Sequence, residues 1–324
     1  MEIVKFTDIP GIKVGHAQNY EAATGCTVII CEQGASAGVD VRGGAPGTRE
    51  TDLLDPVNLV DKMHAVMLAG GSAFGLDAAS GVMQYLEAKE IGFDAGVTKV
   101  PIVGSAVLFD LAAGDHKVRP DKEMGYTACL NAGSTECPNG TIGAGTGATI
   151  GKYLGMESAM KGGLGTYCLR VGELMVGAIV AVNCLGDVIN PADGEILAGA
   201  LAKDGSFINT EEAMLKQYDI SKNIFAGNTT IGVIATNAVL TKAQANKVAS
   251  MAHNGYGRTI RPAHTMFDGD TIFAMATGKV EADVNVVGML AARVMEQAII
   301  NAVTEATSIA GFTAYRDIKR ELNK

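Results

Sequence analysis

Two short segments combine residue types that could carry out acyl chemistry. Gly227-Asn228-Thr229-Thr230-Ile231-Gly232-Val233-Ile234-Ala235-Thr236 sets a Gly-Asn step and a hydroxyl at the mouth of a strongly apolar strand. Taken alone, the Asn-Thr step is ordinary turn chemistry, and its hydroxyl is positioned but not activated. His264-Thr265-Met266-Phe267-Asp268-Gly269-Asp270 carries carboxylates at i and i+2, which project to one side where the backbone is extended. The plain alternative is a solvated Asp-Gly-Asp turn. His264 lies in the same segment, where a turn-stabilising role carries at least as much weight as a catalytic one.

Other patterns carry less. The histidines at 16, 64, 116, 253 and 264 show no HxxxH or HxH spacing and have no cysteine at ligand distance, so no metal is expected. Gly143-Ala144-Gly145-Thr146-Gly147-Ala148 fits a dinucleotide fingerprint but lacks a well-placed acidic partner. The run continues to Gly151-Lys152-Tyr153, with a tyrosine where a phosphate loop needs Ser or Thr, so no cofactor is expected. Gly70-Gly71-Ser72-Ala73-Phe74-Gly75 misses the last glycine of a nucleophile elbow, which leaves Ser72 as a helix cap.

The elements that must position these residues read as a layered α/β arrangement. Apolar, β-branched runs predict strands at Thr27 to Cys31, Ala65 to Ala69, Leu174 to Val182, Ile231 to Thr236 and Thr271 to Ala276. Most are continuous rather than alternating, as in strands buried on both faces. Ser72 is expected to cap a helix bearing Leu76, Ala79, Met83 and Leu86. Thr241 and Gln244 form a capping box ahead of Ala245, Val248, Ala249 and Ala252, with Gly255 placed to end that helix. A third helix starts near Asp283 and carries Val287, Leu290, Ala291, Val294, Met295 and Ala298 on one face.

Composition narrows the function classes. The 324 residues, 48% hydrophobic and 19% charged, suffice for a large core, and no linker or repeat divides them, so residues 1–324 are expected to form a single compact domain. A net charge of −9 argues against a nucleic-acid partner. The apolar run Leu174 to Val182 is too short to span a membrane, so no membrane partner is expected. Met1-Glu2-Ile3-Val4-Lys5 lacks the features of an export signal, which points to the cytoplasm. The six cysteines, none in a CxxC pair, are expected to be free and buried. Forty-one glycines and no tryptophan suit close backbone packing rather than aromatic stacking platforms.

The segment around Asn228-Thr229 resembles the self-cleavage site of the DmpA-type family, which comprises L-aminopeptidase/D-amidase-esterases, β-aminopeptidases and nylon-oligomer (6-aminohexanoate-oligomer) hydrolases. The resemblance runs through Ile9-Pro10-Gly11-Ile12-Lys13-Val14-Gly15-His16, Gly25-Cys26-Thr27-Val28, Arg42-Gly43-Gly44-Ala45-Pro46-Gly47-Thr48, Leu68-Ala69-Gly70-Gly71-Ser72-Ala73-Phe74-Gly75-Leu76 and Ala276-Thr277-Gly278. Asn228-Thr229 and Asp268-Gly269-Asp270 are most similar to the nylon-oligomer branch, because the aminopeptidase branch has Ser and Glu at the carboxylate positions.

The resemblance implies a four-layer α/β/β/α sandwich of the type shared with ornithine acetyltransferase. It also implies self-cleavage between Asn228 and Thr229, giving chains 1–228 and 229–324. Thr229 would then carry both a nucleophilic hydroxyl and an α-amine of pKa about 7.7–8.0 that can serve as base. By the same analogy Asp268 and Asp270 hold the hydroxyl and ammonium of Thr229, Asn183 stabilises the oxyanion, and Lys152 lowers the amine pKa. The aminopeptidase branch also uses a tyrosine donor; Tyr126 and Tyr153 are the nearest here, and neither matches. Family members form homotetramers or larger rings.

The reading that follows is a self-processing amide hydrolase acting on short peptides or linear ω-amino-acid oligomers. Its rivals are an acyltransferase of the ornithine-acetyltransferase type and an uncleaved, non-catalytic oligomeric binding protein.

Overall fold

The computed structural model describes residues 1–135, 137–219 and 227–322. Its main sheet has ten strands. In chain order they are β1 (Glu2–Val4), β2 (Lys13–Asn19), β3 (Thr24–Val41), β4 (Thr48–Arg49), β5 (Lys62–Ala69), β6 (Val103–Val107), β7 (Gly163–Val171), β8 (Leu174–Asn183), β9 (Thr229–Ala238) and β10 (Thr271–Val280). Hydrogen bonding runs β1-β7-β8-β9-β10-β3-β5-β6-β4, with β2 on the flank of β3. All five predicted strands are present, each within a longer element.

The continuous apolar runs are explained by which core each side chain enters. Along β8, Val176, Ala178, Val180 and Val182 enter one core while Ile179 and Ala181 enter another. Along β10, Ile272, Ala274 and Ala276 alternate with Phe273 and Met275 in the same way. Along β5, Val66 and Leu68 join the core that holds Ile179 and Phe273, and Ala65, Met67 and Ala69 turn to a third. A strand with both faces buried has no polar face to display.

The three cores define the four expected layers, α/β/β/α. The outer ones are formed by α1 (Ala78–Glu87) with α2 (Lys122–Leu130), and by α4 (Lys242–Thr259) with α5 (Val284–Thr304). Two shorter helices, α3 (Thr210–Lys216) and α6 (Tyr315–Leu322), lie outside this scheme. The two half-sheets are joined through β3, whose first half pairs with β2 and β5 and whose second half pairs with β10. α5 is long and apolar enough to cross a membrane by length and composition, but its apolar stripe from Val287 to Val303 is buried against the sheet and α4.

Two helix boundaries differ from the sequence expectation. Gly255 does not end α4, which continues to Thr259. A Cβ at Gly255 would lie 2.8 Å from both the Ala292 carbonyl oxygen and the Met295 Cβ, so this glycine serves the close approach of α4 to α5. Ser72 is not the capping residue of α1, whose N-cap position is Asp77; it has φ +53° and opens a 3-10 turn, Ser72–Asp77, that precedes the helix. The capping box of Thr241 and Gln244 and the cap at Asp283 are both formed.

Candidate active site

Thr229 opens β9 at the centre of the sheet, where β8 and β10 flank it. β9 pairs antiparallel with β8, and the register sets Thr229 opposite Asn183, the last residue of that strand. It pairs in parallel with β10 on the other side, so the Asp268-Gly269-Asp270 segment leading into β10 runs beside the entry to β9. Asn228 forms an isolated parallel bridge with Asp268. Thus Asn183, Asn228, Thr229, Asp268 and Asp270 are gathered at one end of neighbouring strands, and all are nearly inaccessible to solvent.

The hydroxyl of Thr229 donates to the carbonyl oxygen of Asn228, the peptide immediately before it. The same carbonyl accepts the Gly269 N–H at 2.9 Å. Asp270 Oδ1 accepts the Thr230 N–H at 2.8 Å, and Oδ2 accepts the His264 backbone N–H at 3.0 Å and lies 2.8 Å from its Nδ1. Asp268 Oδ2 accepts from the backbone and hydroxyl of Thr265, and its Oδ1 accepts the Leu185 N–H at 3.4 Å. Among the described residues these carboxylates bond to the loop around Thr229 and not to its hydroxyl. Burial, followed by the nearby Asp270, pushes the Asp268 carboxyl upward.

Lys152 comes from the Gly-rich stretch and reaches the same place. Its Nζ donates to the Asn183 carbonyl and to Asn183 Oδ1, both at 2.9 Å, and to the Gly227 carbonyl at 3.4 Å. Burial pulls its pKa down to about 7 against the attraction of Asp268 and Asp110. The Asn183 side-chain amide donates to the Phe109 carbonyl at 3.1 Å and to the Gly227 carbonyl at 3.3 Å, one peptide upstream of the expected scissile bond. Its Oδ1 also accepts the Thr149 N–H at 2.9 Å.

Several contributors were not singled out from the sequence. Lys161 is fully buried and donates to the carbonyls of Gly145, Ala148 and Gly162 at 2.8–2.9 Å, fixing the turn that leads to Thr149 and Lys152. Burial pulls its pKa to about 7. Asp110 accepts from the Gly71 N–H and the Thr24 hydroxyl, both at 2.7 Å, and burial pushes its carboxyl up to about 6. Tyr256 and His253 of α4 pack against His264, the histidine already noted ahead of Asp-Gly-Asp, and the Tyr256 hydroxyl donates to the Thr230 carbonyl at 3.2 Å. No local pattern marks these groups, since their roles arise from contacts distant in the chain. Of the two tyrosines weighed earlier, Tyr126 packs edge-on against Tyr85 on α1, and Tyr153 lies in a small cluster with Leu185 and Ala213.

A cavity of about 150 Å³ adjoins Lys152 and Gly227. Phe109, Ala112, Ala113 and Met156 give it apolar walls, and Asp110, Thr149 and Lys152 supply polar groups. Among the described residues, no group of three or more His, Cys, Asp or Glu side chains could hold a metal ion. The arrangement offers a buried hydroxyl aimed at a hydrogen-bonded peptide carbonyl, with a lysine and two carboxylates in the surrounding network. Those are the parts an acyl transfer to a hydroxyl requires.

Known proteins resemble this chain over nearly its whole length. Residues 5–316 match the model of peptidase family S58. An uncharacterized aminopeptidase of Mycobacterium leprae is 42% identical, over 95% of this chain and 92% of its own length. A 6-aminohexanoate-oligomer endohydrolase of Kocuria sp. is 33% identical, over 93% of this chain and 86% of its own. In fold, the chain resembles an L-aminopeptidase D-Ala-esterase/amidase of Ochrobactrum anthropi, described as a variant of the Ntn-hydrolase fold. The TM-score is 0.73 at 18% identity, covering 98% of this chain and 93% of that one.

Proposed function

Since this chain belongs to peptidase family S58 and is an amide-bond hydrolase, we propose that it matures by cutting itself between Asn228 and Thr229 and then uses Thr229 as an amino-terminal nucleophile. The observation that carries this reading is the hydroxyl of Thr229 on the carbonyl of Asn228 at the buried start of β9. Attack by that hydroxyl moves the Asn228 acyl group from nitrogen to oxygen, which frees the amine of Thr229, and water resolves the resulting ester into the carboxylate of Asn228 and the hydroxyl of Thr229. In each later turnover the same oxygen takes the acyl group of an amide substrate, with the new α-amine as base, and water releases the product.

The substrate class we propose is short peptides or linear ω-amino-acid oligomers. It is supported by relatives named as aminopeptidases and as 6-aminohexanoate-oligomer endohydrolases, and by an apolar cavity beside Lys152 that suits an aliphatic acyl chain. We also propose that the working form is a homo-oligomer.

Denaturing electrophoresis with intact mass of freshly purified protein tests the reading. Self-cleavage yields pieces of roughly 23–24 and 10 kDa, the smaller beginning with threonine. A chain that stays whole at 33.4 kDa and hydrolyses no amide would leave a non-catalytic scaffold. Transfer of the acyl group to ornithine in preference to water would make the protein an acyltransferase.

A further inference from the structure

We propose that the backbone N–H of Gly269 holds the oxyanion when the 228–229 peptide is attacked. This assignment rests on the self-cleavage reading above and adds a catalytic group that Asn183 does not supply in the uncut chain.

The carbonyl oxygen of Asn228 accepts the Gly269 N–H at 2.9 Å. An oxyanion donor needs to lie about 2.7–3.1 Å from the place the oxyanion comes to occupy, and Gly269 already holds the carbonyl oxygen from which that oxyanion forms. The Asn183 amide is directed to the carbonyls of Gly227 and Phe109, so it holds the acyl segment upstream of the bond that breaks. In the attack, a bond forms between Thr229 Oγ1 and the Asn228 carbonyl carbon, and the carbonyl electron pair moves onto its oxygen, where Gly269 meets it. The pair then returns, the 228–229 C–N bond breaks, and the hydroxyl proton ends on the departing nitrogen, which becomes the amine of Thr229.

Preorganisation makes this donor effective. Gly269 lies between two carboxylates that each bond to fixed groups: Asp268 to Thr265, and Asp270 to Thr230 and His264. The Asp268 carbonyl accepts the Ala45 N–H at 2.9 Å, which anchors the same peptide from its other side. The loop therefore does not have to move as charge develops, and a donor already in place costs no reorganisation. The absence of a side chain at 269 is also explained. A Cβ there would lie 2.7 Å from Thr229 Oγ1 and 2.8 Å from the Ala45 carbonyl, obstructing the nucleophile. Once the chain is cut, a substrate carbonyl entering the place vacated by Asn228 meets the same N–H.

The test removes the N–H without adding a side chain. The full chain is made by cell-free translation with glycolic acid in place of Gly269, which turns the 268–269 amide into an ester. A control carries lactic acid in place of Ala274, removing an N–H within β10 away from the site. Fragments are followed by mass, which separates ester hydrolysis at 268–269 from cleavage at 228–229. The expected result is cleavage at 228–229 slowed by about 10²–10³-fold in the first chain and by far less in the second. Cleavage of the first chain within a few-fold of the unmodified protein would overturn the assignment, as would equal slowing in the control. An unmodified protein that stays whole would instead remove the self-cleavage reading, and this assignment with it.

Discussion

Lys152 grips Asn183 twice, its ammonium lying 2.9 Å from both the backbone carbonyl and the side-chain oxygen of that residue. Asn183 in turn stands across the ladder from Thr229, so the lysine fixes the strand end that faces the nucleophile. Replacing Lys152 with Met preserves much of the apolar stem but removes the donor to three acceptors. We expect the rate of fragment formation to fall by about 100-fold or more, while the protein still unfolds cooperatively in urea. Processing at the normal rate would remove Lys152 from the mechanism.

Thr229→Ala should stay a single chain on denaturing gels and hydrolyse no amide, because no hydroxyl remains. Thr229→Ser should still divide, slowed by no more than about tenfold, since serine keeps the oxygen but loses the rotamer restriction of a β-branched side chain. Two fragments from the alanine variant would show that another group attacks.

Asp270 ties Thr230 to His264 through its two side-chain oxygens. Asp270→Asn is expected to slow processing about 10- to 100-fold, the range that follows from weakening hydrogen bonds to a charged group. In a His264→Ala background the same substitution should cost less, because part of its effect is already lost. Independent, additive effects in the double-mutant cycle would show that the two residues do not act together.

A Cβ on Gly227 would fall 2.2 Å from the Cβ of Phe109. Gly227→Ala should therefore displace the peptide before Asn228 and impair cleavage. Adding Phe109→Gly should restore a good part of the rate, since it removes both the Cβ and the ring that obstruct while keeping the backbone carbonyl that Asn183 uses. Failure of the second change to rescue the first would mean the fault lies in the backbone of residue 227.

The pKa of buried Lys161 is drawn down from 10.5 to about 7. Between those values the unfolded chain holds the extra proton, so this site's contribution to stability rises as pH rises from about 7 toward 10.5, and the cost of burying the charge is full below about 7. Urea unfolding of wild type and Lys161→Met at pH 7.5, 8.5 and 9.5 should show a shallower rise in the variant, by up to about 1.4 kcal/mol per pH unit. Parallel curves would mean that Lys161 keeps its proton throughout.

Much of this architecture was legible in the chain itself. Apolar runs such as Leu174 to Val182 located the inner strands because both of their faces are covered. The capping box at Thr241 located α4 because its bonds are local. Gly255 misled because a helix-ending glycine and a helix-packing glycine are the same letter, and only the proximity of α5 distinguishes them. Within the site, the Asn-Thr and Asp-Gly-Asp segments stood out through family resemblance. Lys161, Asp110 and the N–H of Gly269 were silent, since a buried cation on three carbonyls and a backbone donor leave no recurrent spacing. How the loop closes around Thr229 depends on contacts such as that between Asp268 and Leu185, which are 83 positions apart.

The strand headed by Thr229 lies between β8, before the proposed cut, and β10, after it. Opening the 228–229 bond therefore leaves the two pieces woven through one sheet, sharing the core that contains Ile179, Val233 and Phe273. While they stay folded, the break changes little of what holds them together. After denaturation the situation differs, because the ends are no longer tethered and each piece must find the other by diffusion, with unpaired strand edges exposed meanwhile. Maturation would thus act as a ratchet: the uncut chain can refold from a single molecule, whereas the mature protein's durability is set by how slowly it first comes apart.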